Sequence, residues 1–236
     1  MATRKTAKKS AAPYPPHIAQ FLENVSEVGK LLEIHNRIGG AGPGRRRDVE
    51  VLNKSAIVLI VACWEAYVED LASFGLDYMI SNAKDHSVFS ANVLERVASK
   101  NSGAKAWALA GEGWKKALRD NYSELLAKTS GVLNTPRAPQ VDELFLKSLG
   151  IPSISSHWRW KGRTQPNAVS ALDNLVTLRG SSAHRVKHTK SVRKADVVAA
   201  KNLVSFLAAI SSNTVRSHLH ASVGKYPWSR VTYNNI

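Results

Sequence analysis

The sequence predicts an all-α protein, an up-and-down helical bundle with irregular loop insertions. Apolar residues recur at three- and four-residue steps in several long segments, which is typical of amphipathic helices. No segment alternates apolar and polar residues between hairpin turns, as a half-buried strand would. With 236 residues and 44% hydrophobic composition, the chain is long enough for one domain with its own core. We therefore predict a single helical domain over 17–222, preceded by a disordered basic arm over 1–16 and followed by a C-terminal tail over 223–236.

The first two predicted helices form the most regular part of the chain. Periodic apolar residues begin at Ile18 and end near Ile38, where Gly39 and Gly40 stop the pattern. The stretch 39–47, GGAGPGRRR, predicts a flexible basic loop. Asp48 is a candidate N-cap for a second helix, whose apolar face runs over about thirty residues, from Val49 to Tyr78.

The remaining predicted helices and loops follow in order along the chain. Helical periodicity is visible over Val88–Ala98, Ala104–Lys128, Val141–Leu149 and Val192–Leu219, and Pro166 suits the first turn of a further helix that runs past Leu178. Thr129–Pro139 is expected to be a loop because it contains a glycine and two prolines. Ser153–Lys161 lacks a period and is expected to be an ordered loop that Trp158 and Trp160 anchor.

The net charge of +15, with an isoelectric point near 10.1, favours a polyanionic partner. Between Ser153 and Lys194 there are nine Lys and Arg residues against one acidic residue, Asp173, a difference of +8. More than half of the excess charge therefore lies in this region.

Several classes of protein are disfavoured by the same composition. A single cysteine, Cys63, excludes an intrachain disulfide and suits a reducing compartment. The longest apolar run, Ala56 to Cys63, is far shorter than the roughly 20 residues of a membrane span. The basic N-terminus lacks the apolar segment of a signal peptide. We therefore expect a cytoplasmic protein without a membrane partner.

One pair of residues remains as a catalytic candidate. Phosphate-binding loops, dinucleotide fingerprints and zinc-protease motifs are all absent from the sequence, so no cofactor is expected. The pair is Arg179 and His184, separated by four residues after the amphipathic stretch LDNLVTL. His184 and His188 are spaced as metal ligands could be, but no third ligand at a suitable spacing accompanies them, so no metal site is predicted.

These residues carry a family resemblance. LDNLVTLRGSSAHR, together with ACWEAYVEDL at Ala62–Leu71 and HWRWKG at His157–Gly162, resembles the HEPN superfamily, and its RiboL-PSP-HEPN branch most of all. The resemblance covers roughly Ile18 to Ala221. It implies a helical bundle that pairs as a homodimer, with the Arg-x4-His motifs of two protomers in a shared cleft. It also implies a metal-independent endoribonuclease that acts as a toxin or in antiviral defence, and a possible antitoxin protein as partner.

The chemistry of the two residue types fits RNA cleavage. RNA supplies its own nucleophile, the 2′-hydroxyl, so the protein needs a proton carrier near neutral pH and a fixed positive charge on the transition state. We assign the first role to His184 and the second to Arg179. Five positions along a regular helix turn through about 500°, which leaves the two side chains about 140° apart. Either the helix ends near Gly180 or a second chain completes the site, and both cases agree with a homodimer.

Other residues are assigned supporting roles. The family usually has a polar residue directly after the Arg, and this chain has Gly180, so Ser181 or Ser182 could supply the missing hydrogen bond. Glu65, in the Trp-Glu pair typical of the branch, is a further supporting candidate. The residues expected to contact RNA are basic and lie in the charged region: Arg159, Lys161, Arg163, Arg185 and Lys187.

Each assignment has a structural alternative. Arg179 and His184 could be cations that stabilise the C-terminal end of a helix. Glu65 could be a hydrogen-bond partner for an arginine beside a core Trp64. Trp158 and Trp160 could stack on bases or only anchor a loop. An inactive HEPN-like module that binds RNA or a protein is the alternative function.

Overall fold

The computed structural model describes residues 14–39, 49–122, 133, 135–184 and 191–233. This part of the chain is helical. The α-helices are α1 (Pro16–Gly39), α2 (Glu50–Asn82), α3 (Ala91–Lys100), α4 (Gly113–Asp120), α5 (Ala138–Leu149), α6 (Gln165–His184) and α7 (Lys194–Val223). Three short 3-10 helices span His86–Val88, Gly103–Leu109 and Ile154–His157. The described residues form no strand beyond one isolated bridge between Trp160 and Arg163, and the prediction of an all-α bundle is confirmed.

Helix α2 lies at the centre of the bundle and packs against α1, α5, α6 and α7. An early residue of α2 contacts the chain just before α7, and a later residue of α2 contacts the middle of α7, so the two helices run parallel. Asn53 Nδ2 donates to the carbonyl of Val192 at 3.0 Å, and Tyr67 Oη donates to the carbonyl of Ala208 at 2.6 Å. Helix α1 runs the opposite way, since its first turn carries His17, which contacts Phe74 near the end of α2.

Apolar burial explains why α2 lies at the centre of the bundle. Residues on almost every side of the helix are buried, and the largest fully buried side chains of the chain include Trp64 and Tyr67. A helix that is apolar all round belongs in the interior, where each large side chain contributes about 1.5–3 kcal/mol by leaving water. Phe74, which falls within the apolar face predicted from Val49 to Tyr78, is 38% exposed and lies at the edge of the core.

The predicted helix over Ala104–Lys128 differs from the structure in its described part. Gly103–Leu109 is a 3-10 helix, and α4 begins only at Gly113. Gly111 between them has φ +59°, a left-handed conformation that an α-helix cannot contain. The sequence pattern was therefore right about helical character and wrong about continuity.

Helix α5 also begins earlier than expected. Its first residues, Ala138 and Pro139, fall within the segment that we predicted as a loop. Proline is tolerated in a first turn because the N–H groups there have no intrahelical partner. The predicted end is confirmed, since Gly150 follows with φ 77°.

The segment after α7 packs back onto that helix. Asn213 exchanges two hydrogen bonds with the backbone of Val231, and Arg216 Nε donates to the carbonyl of Trp228 at 2.7 Å. Val231 itself is 6% exposed. Residues 225–233 therefore contribute to the core that α1, α2 and α7 share.

Two helices of the described chain are long and apolar enough to cross a membrane, α2 and α7. About half of the most apolar stretch of each is buried inside the bundle, 50% and 56%. Core helices of soluble proteins have the same composition, so the length and hydropathy of these helices decide nothing about a membrane.

Candidate active site

Helix α6 carries both residues of the Arg-x4-His pair. It continues without interruption through Gly180 and ends at His184, so the helix does not stop at the glycine. The side chain of His184 lies outside the described structure, and its position is known only from the helical backbone. In a regular helix, position 184 is about 140° around the axis from Arg179.

Arg179 lies on the side of α6 that faces the core. It follows Leu172 by seven positions, and Leu172 and Val176 are buried against the bundle. The guanidinium has no ion pair or hydrogen bond with another described residue. It is nevertheless close enough to α2 that its charge lowers the pKa of Glu65. Burial acts more strongly in the opposite direction, and the pKa of Glu65 is raised overall.

Glu65 is one of three half-buried carboxyls on the same stretch of α2. Burial raises the pKa of Glu69, and the charges of Glu65 and Asp70 raise it further. Burial also raises the pKa of Asp70. Glu65 is thus near enough to Arg179 to interact with its charge, within an acidic stretch that favours a positive charge nearby.

Ser181 and Ser182, which follow Gly180, differ in their hydrogen bonds. Ser181 Oγ donates to the backbone carbonyls of Thr177 and Leu178, at 3.1 and 3.0 Å, so its proton is already engaged within the helix. Ser182 Oγ is buried and has no hydrogen-bond partner among the described residues. Position 182 follows Leu175 by seven residues and so lies on the same side as Arg179. Of the two, Ser182 has the hydroxyl without a described partner.

A second arginine, which the sequence reasoning missed, contacts the outer side of α6. Arg137 Nη1 donates to the backbone carbonyl of Asp173 at 3.0 Å and to its carboxylate at 3.3 Å. Arg137 Nη2 donates to Thr177 Oγ1 at 2.9 Å. The adjacent carbonyl of Pro136 accepts a 3.1 Å bond from the buried indole of Trp64, which fixes the start of α5 against α2. The one sequence feature that indicated this arrangement is that Asp173 is the sole acidic residue between Ser153 and Lys194.

The predicted RNA-binding residues lie at the other end of α6. Arg159 and Lys161 are exposed, and Arg163 is half-buried, all just before the helix begins at Gln165. At 1.5 Å per residue, Arg179 is about 20 Å farther along the helix. The structure therefore separates these three residues from the motif within one chain. Arg185 and Lys187 lie outside the described residues.

The two tryptophans of the same loop have different environments. Trp158 is fully buried, and its indole N–H donates to Ser211 Oγ at 3.0 Å. Trp160 stacks on Phe206 at 4.7 Å, and Arg163 lies over its ring at 5.5 Å. Trp158 is thus a core residue, and the ring of Trp160 already has Phe206 and Arg163 as neighbours. Loop anchoring explains both better than base stacking does.

The chain after the motif is held by the first turns of α2. Val192 accepts the bond from Asn53 described above, and its N–H donates to Glu50 Oε1 at 3.4 Å. These contacts return the chain to the bundle beside the motif end of α6. In the described residues, no three His, Cys, Asp or Glu side chains cluster as metal ligands would.

Comparison with known protein families gives a match over most of the chain. The sequence pattern of the RiboL-PSP-HEPN family matches residues 20–213, which span α1 to most of α7. No curated protein and no solved structure matches the chain. Because the matched region covers most of the 236 residues, the chain belongs to the RiboL-PSP-HEPN family.

Proposed function

We propose that this protein is a metal-independent endoribonuclease that cleaves RNA by attack of the 2′-hydroxyl on the adjacent phosphate. The observation that carries the proposal is the position of Arg179, on a family-matched helix, beside a carboxyl but without an ion pair to any described residue. HEPN domains generally bind RNA and dimerise. A guanidinium without an ion pair to a described residue keeps its donors for the oxygens of a phosphate.

Two roles complete the reaction. His184 takes the proton from the 2′-hydroxyl or delivers one to the leaving 5′-oxygen, water exchanges the other proton, and Arg179 stabilises the charge that develops on the phosphorus oxygens. Cleavage leaves a 2′,3′-cyclic phosphate and a 5′-hydroxyl. Since about 140° separates the two positions on α6, we propose that a homodimer brings Arg179 of one protomer to position 184 of its partner.

The experiment is cleavage of a labelled RNA in EDTA by the wild type, Arg179→Ala and His184→Ala. Cleavage that persists in the chelator and is lost in both variants supports the proposal. Lys201→Ala, a change to a cation on α7, controls for loss of positive charge in general. A strict requirement for a divalent metal would contradict the mechanism.

An inactive RNA-binding or protein-binding HEPN module is the second candidate. Gly180 favours it, because the position after the motif arginine has no side chain to hydrogen-bond substrate. In that case the wild type binds RNA in a salt-sensitive way without cutting it, since phosphate contacts release counterions.

The proposed biological role is that of a toxin or antiviral-defence effector in the cytoplasm, neutralised by an antitoxin. Its test is induced expression in cells. Growth arrest by the wild type that His184→Ala relieves supports the role, and equal growth with both proteins contradicts it.

A further inference from the structure

We propose that Arg137 binds a phosphate of the RNA about three nucleotides from the cleaved bond. The inference rests on the proposed function, and it extends the site beyond the two motif residues.

Hydrogen bonds hold Arg137 against α6, and some of its N–H donors remain unused. Its three hydrogen bonds engage Nη1 and Nη2, whereas a guanidinium has five N–H donors. The side chain keeps 31% of its surface exposed. Two of the three acceptors are neutral oxygens, and the 3.3 Å contact with the Asp173 carboxylate is longer than the usual 2.7–2.9 Å of a charged pair. The guanidinium thus keeps N–H donors that a ligand can engage.

The helical register places Arg137 on the same side of α6 as position 184. Thr177 and position 184 are seven residues apart, which is about 700°, or 20° short of two full turns. Asp173 is eleven residues from position 184 and also lies within about 20°. The acceptors of Arg137 and the motif histidine therefore form one stripe along the helix. No side chain interrupts the stripe at Gly180, where an added Cβ would meet no described atom within 4 Å.

The spacing along the stripe fits a nucleic acid strand. Seven residues of helix advance about 10 Å. A stacked strand advances about 3.4 Å per nucleotide, so this distance corresponds to about three nucleotides. A strand whose scissile phosphate lies at position 184 can follow α6 and place a distal phosphate on Arg137.

Lys147 on α5 provides a matched control for Arg137, which is the residue just before that helix. It forms an ion pair with Glu143, one turn away on α5, and its side chain is 33% exposed, close to the value for Arg137. Replacing either residue by alanine removes one half-exposed, ion-paired cation. Only Arg137 lies beside α6.

The experiment combines binding and cleavage. Binding of a twelve-nucleotide RNA is measured by fluorescence anisotropy at several salt concentrations, in the His184→Ala background to prevent turnover. Arg137→Ala is expected to weaken binding about tenfold and to reduce the salt slope by about 1, while Lys147→Ala changes neither. In the otherwise wild-type protein, Arg137→Ala raises KM for the long RNA and leaves cleavage of a dinucleotide unchanged, because a dinucleotide has no distal phosphate.

The outcomes separate the two proposals. If the wild type cleaves RNA but Arg137→Ala matches Lys147→Ala in salt slope and KM, Arg137 only joins α5 to α6 and this inference is wrong. An equal loss of cleavage on the dinucleotide and the long RNA also overturns it, since that points to a disturbed fold. If the wild type cleaves no RNA, the proposed function fails and the inference fails with it.

Discussion

The positive charge of Arg179 lowers the pKa of the Glu65 carboxyl across the α2–α6 interface, against a stronger effect of burial that raises it. The carboxyl therefore binds its proton more tightly in the folded protein than in the unfolded chain. Stability due to this group is highest at acid pH and falls as the pH rises above its ordinary value of 4.5.

We predict that Glu65→Gln stabilises the protein at pH 7, by no more than about 1 kcal/mol, and has almost no effect on stability at pH 4. Gln keeps the shape of the side chain without the buried charge. Glu69→Gln should stabilise more, because neighbouring carboxylates add to the effect of burial there and no arginine of the described residues opposes them. Urea unfolding at the two pH values measures the change in the free energy of unfolding for both variants. A loss of stability in Glu65→Gln at pH 7 would mean that attraction to Arg179 outweighs burial.

The second prediction concerns Gly180 and covers both stability and activity. Gly180→Ala should stabilise the protein by about 0.4–1 kcal/mol, since the position lies inside a helix and has space for a Cβ. Gly180→Asn introduces the kind of polar residue that often follows the motif arginine in the family. We expect Asn to raise kcat for RNA cleavage severalfold over the Ala variant. Equal rates in the two variants would show that a polar group at this position contributes nothing.

A third prediction concerns the two tryptophans that anchor the loop before α6. Trp158→Phe removes the donor to Ser211 Oγ, an atom of a residue with no exposed surface, and should cost about 1–3 kcal/mol. Trp160→Phe keeps an aromatic ring on Phe206 and should cost less than about 1 kcal/mol. Thermal unfolding compares them directly. Equal losses in the two variants would contradict the core role of Trp158.

The main helices could be predicted from the sequence because their burial is periodic. The apolar face that begins at Val49 is a local pattern, and it predicted α2 as the longest helix. Arg179 was placed at the end of a helix for the same reason, since Leu172 and Val176 continue to Arg179 at helical spacing, whereas no local pattern placed His184.

The contacts that shape the candidate site could not be predicted in this way. Arg137 reaches Asp173 across 36 positions of sequence, and no local pattern relates the two residues. The glycine at position 180 suggested a helix end, yet packing of α6 on α2 carries the helix through it. Tertiary contacts decided both cases, and they act over distances that propensity and periodicity do not cover.

The last prediction tests the dimeric site. On α6, Arg179 faces α2 while position 184 lies about 140° away, so neither protomer alone presents both to one phosphate if the helix stays regular. In a two-fold symmetric dimer, each cleft would then use the arginine of one protomer and the histidine of its partner. Arg179→Ala and His184→Ala are each expected to be inactive. After mixing and subunit exchange, half of the dimers are heterodimers with one intact cleft of two, which restores about a quarter of wild-type activity. Native mass spectrometry checks that exchange has occurred. Exchanged mixtures that stay inactive would place Arg179 and His184 of the same protomer in one site, and a protein that is monomeric at micromolar concentration would exclude the shared cleft.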